Sequence, residues 1–213
     1  PHHHSSAASD VYKRQVVTKQ FKQPYISTIQ ATSPNGPYVN VTNNFITDIN
    51  GNNNSLADYS ETVNLDVDLF NLGGGSSQNL NLVLSSTDQY ITIIDSLESV
   101  SSINSNQTIT TTNAFIFQIA DLVPDQHVAI FQLNISDNQG NIWNSNINVT
   151  LNSPILNHIS FTVNDLILGN GNGKLDAGEN LELIVEVNNT GHADAYNLTC
   201  LLYTSPSPRD NLP

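Results

Sequence analysis

Between residues 61 and 70 apolar and polar positions alternate strictly, with Val63, Leu65, Val67 and Leu69 set against Asn64, Asp66 and Asp68. A period of two belongs to an extended strand with one buried and one wet face. The same alternation runs through Leu80, Leu82 and Leu84, through Phe115, Phe117 and Ile119, through Phe131, Leu133 and Ile135, and through Ile147, Val149 and Leu151 with Trp143 in phase. No stretch carries a helical apolar stripe. Turn chemistry separates the runs, at residues 73–75, at Pro124 and Asp125, and at residues 138–140. Many short strands of this kind predict an all-β fold, an antiparallel sandwich of the immunoglobulin or fibronectin type; propellers and jelly rolls need more strands.

The pattern also repeats. At an offset of 118 residues, Asn52, Asn54, Asp58, Glu61, Leu65, Val67, Asn71, Gly73, Asn79 and Leu80 recur as Asn170, Asn172, Asp176, Glu179, Leu183, Val185, Asn189, Gly191, Asn197 and Leu198. A period of that length is one sandwich domain. Each copy opens after a proline, Pro24 and Pro154, which predicts tandem sandwiches: a complete one over 24–152 and the N-terminal part of a second over 153–199. The second copy ends before it can close, so Leu181, Leu183, Val185 and Val187 are expected to lack most of a facing sheet.

The two ends of the chain read differently. SSAASDVYKRQ (residues 5–15) and CLLYTSPSPRD (residues 200–210) resemble translated sequencing adapters. Residues 1–15 and 200–213 are therefore expected to be non-native, and 16–23 a linker. Between the flanks the basic residues are Lys19, Lys22 and Lys174 alone, in a chain whose formal net charge is already −13. That balance argues against nucleic acid, which needs clustered Lys and Arg. The one cysteine, Cys200, lies in a flank, so no disulfide staples the fold. Apolar runs fall far short of the roughly 18–20 residues that span a bilayer, which argues against membrane insertion. Abundant Asn, Ser and Thr with few Lys point to an extracellular or cell-surface bacterial protein.

Between the strands lies an asparagine-rich loop that occurs twice. GNGNGKLDAGE (residues 169–179) resembles a calcium loop of the EF-hand or dockerin type, with Gly173 as the turn glycine. Asn170, Asn172, the Lys174 carbonyl, Asp176 and Glu179 take ligand positions, and Leu168 stands where an aspartate is usual. In the first copy Asn50, Asn52, Asn54, the Leu56 carbonyl, Asp58 and Glu61 fill the set, with Ser55 in place of the turn glycine. Hard calcium takes several such oxygens, but two carboxylates per copy imply weak sites, of roughly 0.1–1 mM. The alternative is a polar turn in which Asn supplies left-handed geometry and the aspartates cap the backbone.

Catalytic chemistry finds little support. A nucleophilic site needs Ser or Cys beside a base, and His127, His158 and His192 are expected in turns or on the surface. Asp66 and Asp68 read as a solvated face, and Trp143 as core rather than as a sugar platform. Seven Asn-x-Ser/Thr sequons, at Asn40, Asn53, Asn106, Asn134, Asn148, Asn188 and Asn197, would matter in a eukaryotic secretory protein.

Taken together, LADYSETVNLDVDLFNLG, STDQYITIID, VPDQHVAIFQLNISD and GNGKLDAGENLELIVEVNNTGHADA resemble the immunoglobulin-like modules that follow the catalytic domain in gingipain-like secreted cysteine peptidases. The resemblance implies a noncatalytic spacer whose partners are neighbouring repeats and an upstream domain of the same chain, with the catalytic Cys and His lying upstream. The competing expectations are a binding module for a host protein or an envelope glycan, and a repeat of a non-enzymatic adhesin.

Overall fold

The computed structural model describes residues 11–17, 25–31, 34–48 and 51–203, the first two segments as backbone alone. Strands β1 (Val11–Val17) and β2 (Tyr25–Ala31) form an antiparallel sheet of their own, in register from Val11↔Ala31 to Val17↔Tyr25. Part of the adapter-like stretch is thus paired as strand. The remainder of that stretch, most of the 16–23 segment and the tail from residue 204 lie outside the described residues. Neither β1 nor β2 joins a sandwich ladder.

The sandwich begins with β3 (Val39–Thr47) and continues through β4 (Ala57–Asp58), β5 (Thr62–Asn71), β6 (Ser77–Ser86), β7 (Ile91–Asp95), β8 (Leu97–Ile103), β9 (Thr108–Thr110), β10 (Phe115–Ile119), β11 (His127–Ser136) and β12 (Ile142–Asn152). One sheet has the order β3-β5-β10-β7, with β9 also on β5; the other has the order β4-β12-β11-β6-β8. Within these sheets β3-β5-β10-β7 and β12-β11-β6 follow the ABED and GFC orders of immunoglobulin-type sandwiches, with β4 and β8 added at the edges of the second sheet. Every ladder between these strands is antiparallel except the short parallel pairing of β4 with the end of β12. The run from residue 91 to 103 changes sheets at Ser96, whose carbonyl accepts the Leu84 N–H: β7 pairs with β10 and β8 with β6.

Strict alternation on β5 does what its period requires, burying Val63, Leu65, Val67 and Leu69 completely while Asn64, Asp66 and Asp68 stay half-exposed. The outward acids are not idle: Asp66 Oδ1 accepts the Ala114 N–H (3.0 Å) and Asp68 Oδ1 accepts the Thr110 hydroxyl (2.5 Å). Across the core Phe117 of β10 meets Phe131 of β11 at a ring separation of 4.8 Å, joining the two sheets. Fully burying a side chain of this size stabilises by about 1.5–3 kcal/mol. Trp143 packs half-buried against this core, as its phase predicts.

Strands β13 (Leu156–Asn164) and β14 (Glu182–Asn189) form a separate antiparallel pair, the equivalents of β3 and β5 at the repeat offset. Here Val185 and Val187 are 41% and 50% exposed, whereas their counterparts Val67 and Leu69 are at 0%. A facing sheet accounts for that difference.

Candidate functional site: a doubled acidic loop

In the first copy the loop between β3 and β5 folds around three carboxylates. Asp48, buried at the end of β3, accepts the Asn54 N–H on Oδ2 and the Ser55 N–H on Oδ1, both at 2.9 Å. Glu61 reaches back from the foot of β5 to take the Asn52 N–H (3.0 Å) and the Asp58 N–H (3.3 Å) on its two oxygens. Asp58 Oδ2 accepts the side-chain amides of Asn52 and Asn54, each at 2.9 Å, and Oδ1 accepts that of Asn152 at the end of β12 (3.0 Å). The Asn52 and Asn54 carbonyl oxygens close local turns on the N–H groups of Asn54 and Leu56. Because β4 sits inside this loop, Asp58 ties it to the last strand of the opposite sheet.

The second copy repeats most of the arrangement. Asp165 takes the N–H groups of Asn172 and Gly173, Glu179 takes that of Asn170, and Asp176 takes the amides of Asn170 and Asn172. Lys174 N–H closes the turn on Asn172. Gly173 and Ser55 both adopt positive φ, 71° and 63°, so the turn persists in the first copy without its glycine. Two bonds have no counterpart: that from Asn152, since that copy has no described equivalent of β12, and that from the Asp58 N–H to Glu61, whose equivalent oxygen, Glu179 Oε2, is buried without a hydrogen-bond partner.

Two residues in this site carried no ligand role in the sequence reading, Asp48 and Asp165. They are 117 residues apart rather than 118, because the second copy has one extra residue between the aspartate and its glycine. An ungapped comparison hides such a pair; allowing one insertion would have exposed it. Asn50 lies outside the described residues. Leu56 and Lys174 contribute N–H donors to the turns, and Leu168 stays exposed.

The donor set has a consequence for cations. In the first copy every carboxylate oxygen of Asp48, Asp58 and Glu61 faces an N–H donor, and both Asn side chains present nitrogen to Asp58. Among the described residues no three acids, histidines or cysteines gather around a common metal position. So arranged, the residues form a hydrogen-bonded clamp. Burial raises the Glu61 carboxyl above its usual range, helped by the charges of Asp58 and Asp48, while the two N–H donors oppose the shift.

Beside the clamp lies a cleft of about 520 Å³ lined by Asn52, Asp58, Tyr59, Glu61, Asp194 and Tyr196 among others. The Tyr59 hydroxyl accepts the Tyr196 N–H (3.4 Å), and the Tyr196 hydroxyl donates to Asp194 (3.2 Å). Elsewhere His127 pairs with Asp88 (2.7 Å) and lies edge-on to Tyr90, and His192 pairs with Asp125 (2.7 Å). Neither of these two imidazoles is hydrogen-bonded to a hydroxyl or thiol among the described residues.

The chain is therefore an all-β protein built on an antiparallel β-sandwich, with a carboxylate–amide loop at the mouth of each copy of its repeat. No protein-family profile and no curated protein matches it.

Proposed function

We propose that this chain is a noncatalytic immunoglobulin-like spacer, one complete module followed by the opening of a second, from a large secreted or cell-surface bacterial protein of the gingipain-like cysteine peptidase kind. The observation that supports it is the doubled clamp: two copies of one loop use the same hydrogen bonds to brace the start of a sandwich. A loop that serves geometry in every repeat suits a part whose task is distance and orientation. The peptidase chemistry of such a protein lies in another domain, and the neighbours of the module are other repeats and that domain. Expression of the whole reading frame tests this: an upstream domain with a paired Cys and His supports the peptidase parent, and a frame of nothing but repeats assigns the module to an adhesin.

A binding role is the second reading, and the cleft favours it. Two tyrosines beside Asp58, Glu61 and Asp194 offer ring faces and hydrogen-bond acceptors of the kind that sugar hydroxyls or a basic host-protein loop meet. Titration against a glycan panel at millimolar concentration tests it. Saturable binding weakened by Tyr59→Ala would move the assignment from spacer to binding module; no binding leaves the spacer.

A further inference from the structure

The turn of residues 124–126 stands at the downstream end of the first sandwich, just before β11. Its Gln126 is held at φ 60°, a left-handed conformation uncommon for a residue with a side chain. That geometry lets neighbouring side chains reach the last residue of β12 and the one after it: Gln126 Nε2 donates to Asn152 Oδ1 (2.7 Å), and Asp125 Oδ1 accepts the Ser153 N–H (3.0 Å). Asp125 then takes a second partner from the following copy. The His192 N–H donates to Oδ1 (3.2 Å), and His192 Nδ1 lies 2.7 Å from Oδ2. The Asp125 side chain is 6% exposed.

What Asp125 grips is itself a built unit. Asn189 Oδ1 accepts the N–H groups of Ile155 and Gly191, its amide donates to the Ala193 carbonyl, and Thr190 N–H donates to the Ile155 carbonyl. Gly191 fits so closely that a Cβ there would stand 2.2 Å from the Ser153 carbonyl. The first copy has the same clasp: Asn71 Oδ1 accepts the N–H groups of Tyr38 and Gly73, and a Cβ on Gly73 would stand 2.1 Å from the Gly36 carbonyl. The clasp belongs to each module's opening, whereas the Asp125 turn belongs to the end of the module before.

We propose that Asp125 is the receptor of a rigid head-to-tail joint, through which the end of one sandwich holds the Pro154–Gly191 clasp that opens the next at a fixed angle. Its partner is a backbone clasp bearing a histidine, supplied by the following repeat of the same chain. The carboxylate holds one N–H from each side of the clasp and the imidazole as well, so the linker cannot swivel without breaking charge-assisted bonds. Hydrogen bonds from Ser153 and His192 outweigh the opposing effect of burial and keep the Asp125 carboxyl below its usual range, so the charge that makes these bonds persists into mild acid. Use of the joint to stiffen a stalk rests on the spacer reading; its geometry does not.

The test uses the full chain, with backbone amide relaxation and hydrogen exchange read by NMR. In the wild type, β13 and β14 amides should tumble with the first sandwich and the Ser153 amide should be protected. Asp125→Ala should speed Ser153 exchange about tenfold or more and free β13 and β14 to reorient, with β5 and β11 amides unchanged. His192→Ala, which leaves the Ser153 bond in place, should loosen β13 and β14 and spare Ser153. Independent tumbling of β13 and β14 in the wild type, or an Asp125→Ala variant that tumbles as one body, overturns the joint. Either result would leave the spacer reading to be decided by binding assays and by the parent frame.

Discussion

Replacing Asn71 with alanine tests most directly how the opening of a sandwich is held. Asn71 is fully buried at the end of β5. Its Oδ1 accepts the N–H groups of Tyr38 (2.9 Å) and Gly73 (3.0 Å), and its amide donates to the Gly75 carbonyl (2.8 Å), with the Ile103 carbonyl at the edge of reach (3.4 Å). Alanine leaves three well-formed bonds without a partner where water enters poorly. At about 1 kcal/mol for each lost bond, and more where a buried group stays unpaired, the loss is about 3–4 kcal/mol. That is a large share of the roughly 5–15 kcal/mol that stabilises a typical domain. Urea unfolding followed by the fluorescence of Trp143, the sole tryptophan, reads it as a drop in midpoint at unchanged slope. Asn189→Ala is the internal control: it removes equivalent bonds where Asn189 is exposed, so water substitutes and the Trp143 transition should shift by less than about 0.5 kcal/mol. A loss below about 1 kcal/mol for Asn71→Ala would refute the argument that burial sets the cost.

Ser55 sits at φ 63° where the second copy has Gly173, so Ser55→Gly should stabilise the first sandwich by about 0.5–1 kcal/mol, seen as a higher urea midpoint. A Cβ on Gly73 collides with backbone that cannot step aside, so Gly73→Ala should cost about 1–3 kcal/mol, whereas Gly36→Ala, with nothing near its Cβ, should be nearly neutral in the same melt. Because the clamp satisfies its own carboxylates, the thermal midpoint should be equal in millimolar calcium and in chelator; a clear rise with calcium would mean that the Asn52 and Asn54 amides turn over to present oxygen. Asp137 binds the Ser77 hydroxyl, the Gln139 N–H and both nitrogens of Asn141, and these donors outweigh burial to lower its carboxyl. A depressed folded value stabilises above the unfolded carboxylate pKa of about 3.9 and fades as pH falls through the folded one, so the stability gap between wild type and Asp137→Asn should narrow below about pH 4.

Alternation along β5, β10 and β11 was legible because burial on one face of a sheet imposes a period of two on the residues themselves. The duplicated loop was legible because its turns need particular side chains at particular spacings, and those survive in both copies. By itself the sequence determined the all-β class, the positions of the core residues and the existence of a doubled acidic loop. Tertiary structure decided which groups the loop's carboxylates face. Asp48 and Asp165 entered the site through backbone closure across an insertion, and Asn152 reached Asp58 from 94 residues away through the pairing of β4 with β12. It also decided that Asp125 and His192, 67 residues apart, would meet. Hydrogen bonds depend on where the chain returns in space, and nothing in the local pattern of either residue records its distant partner.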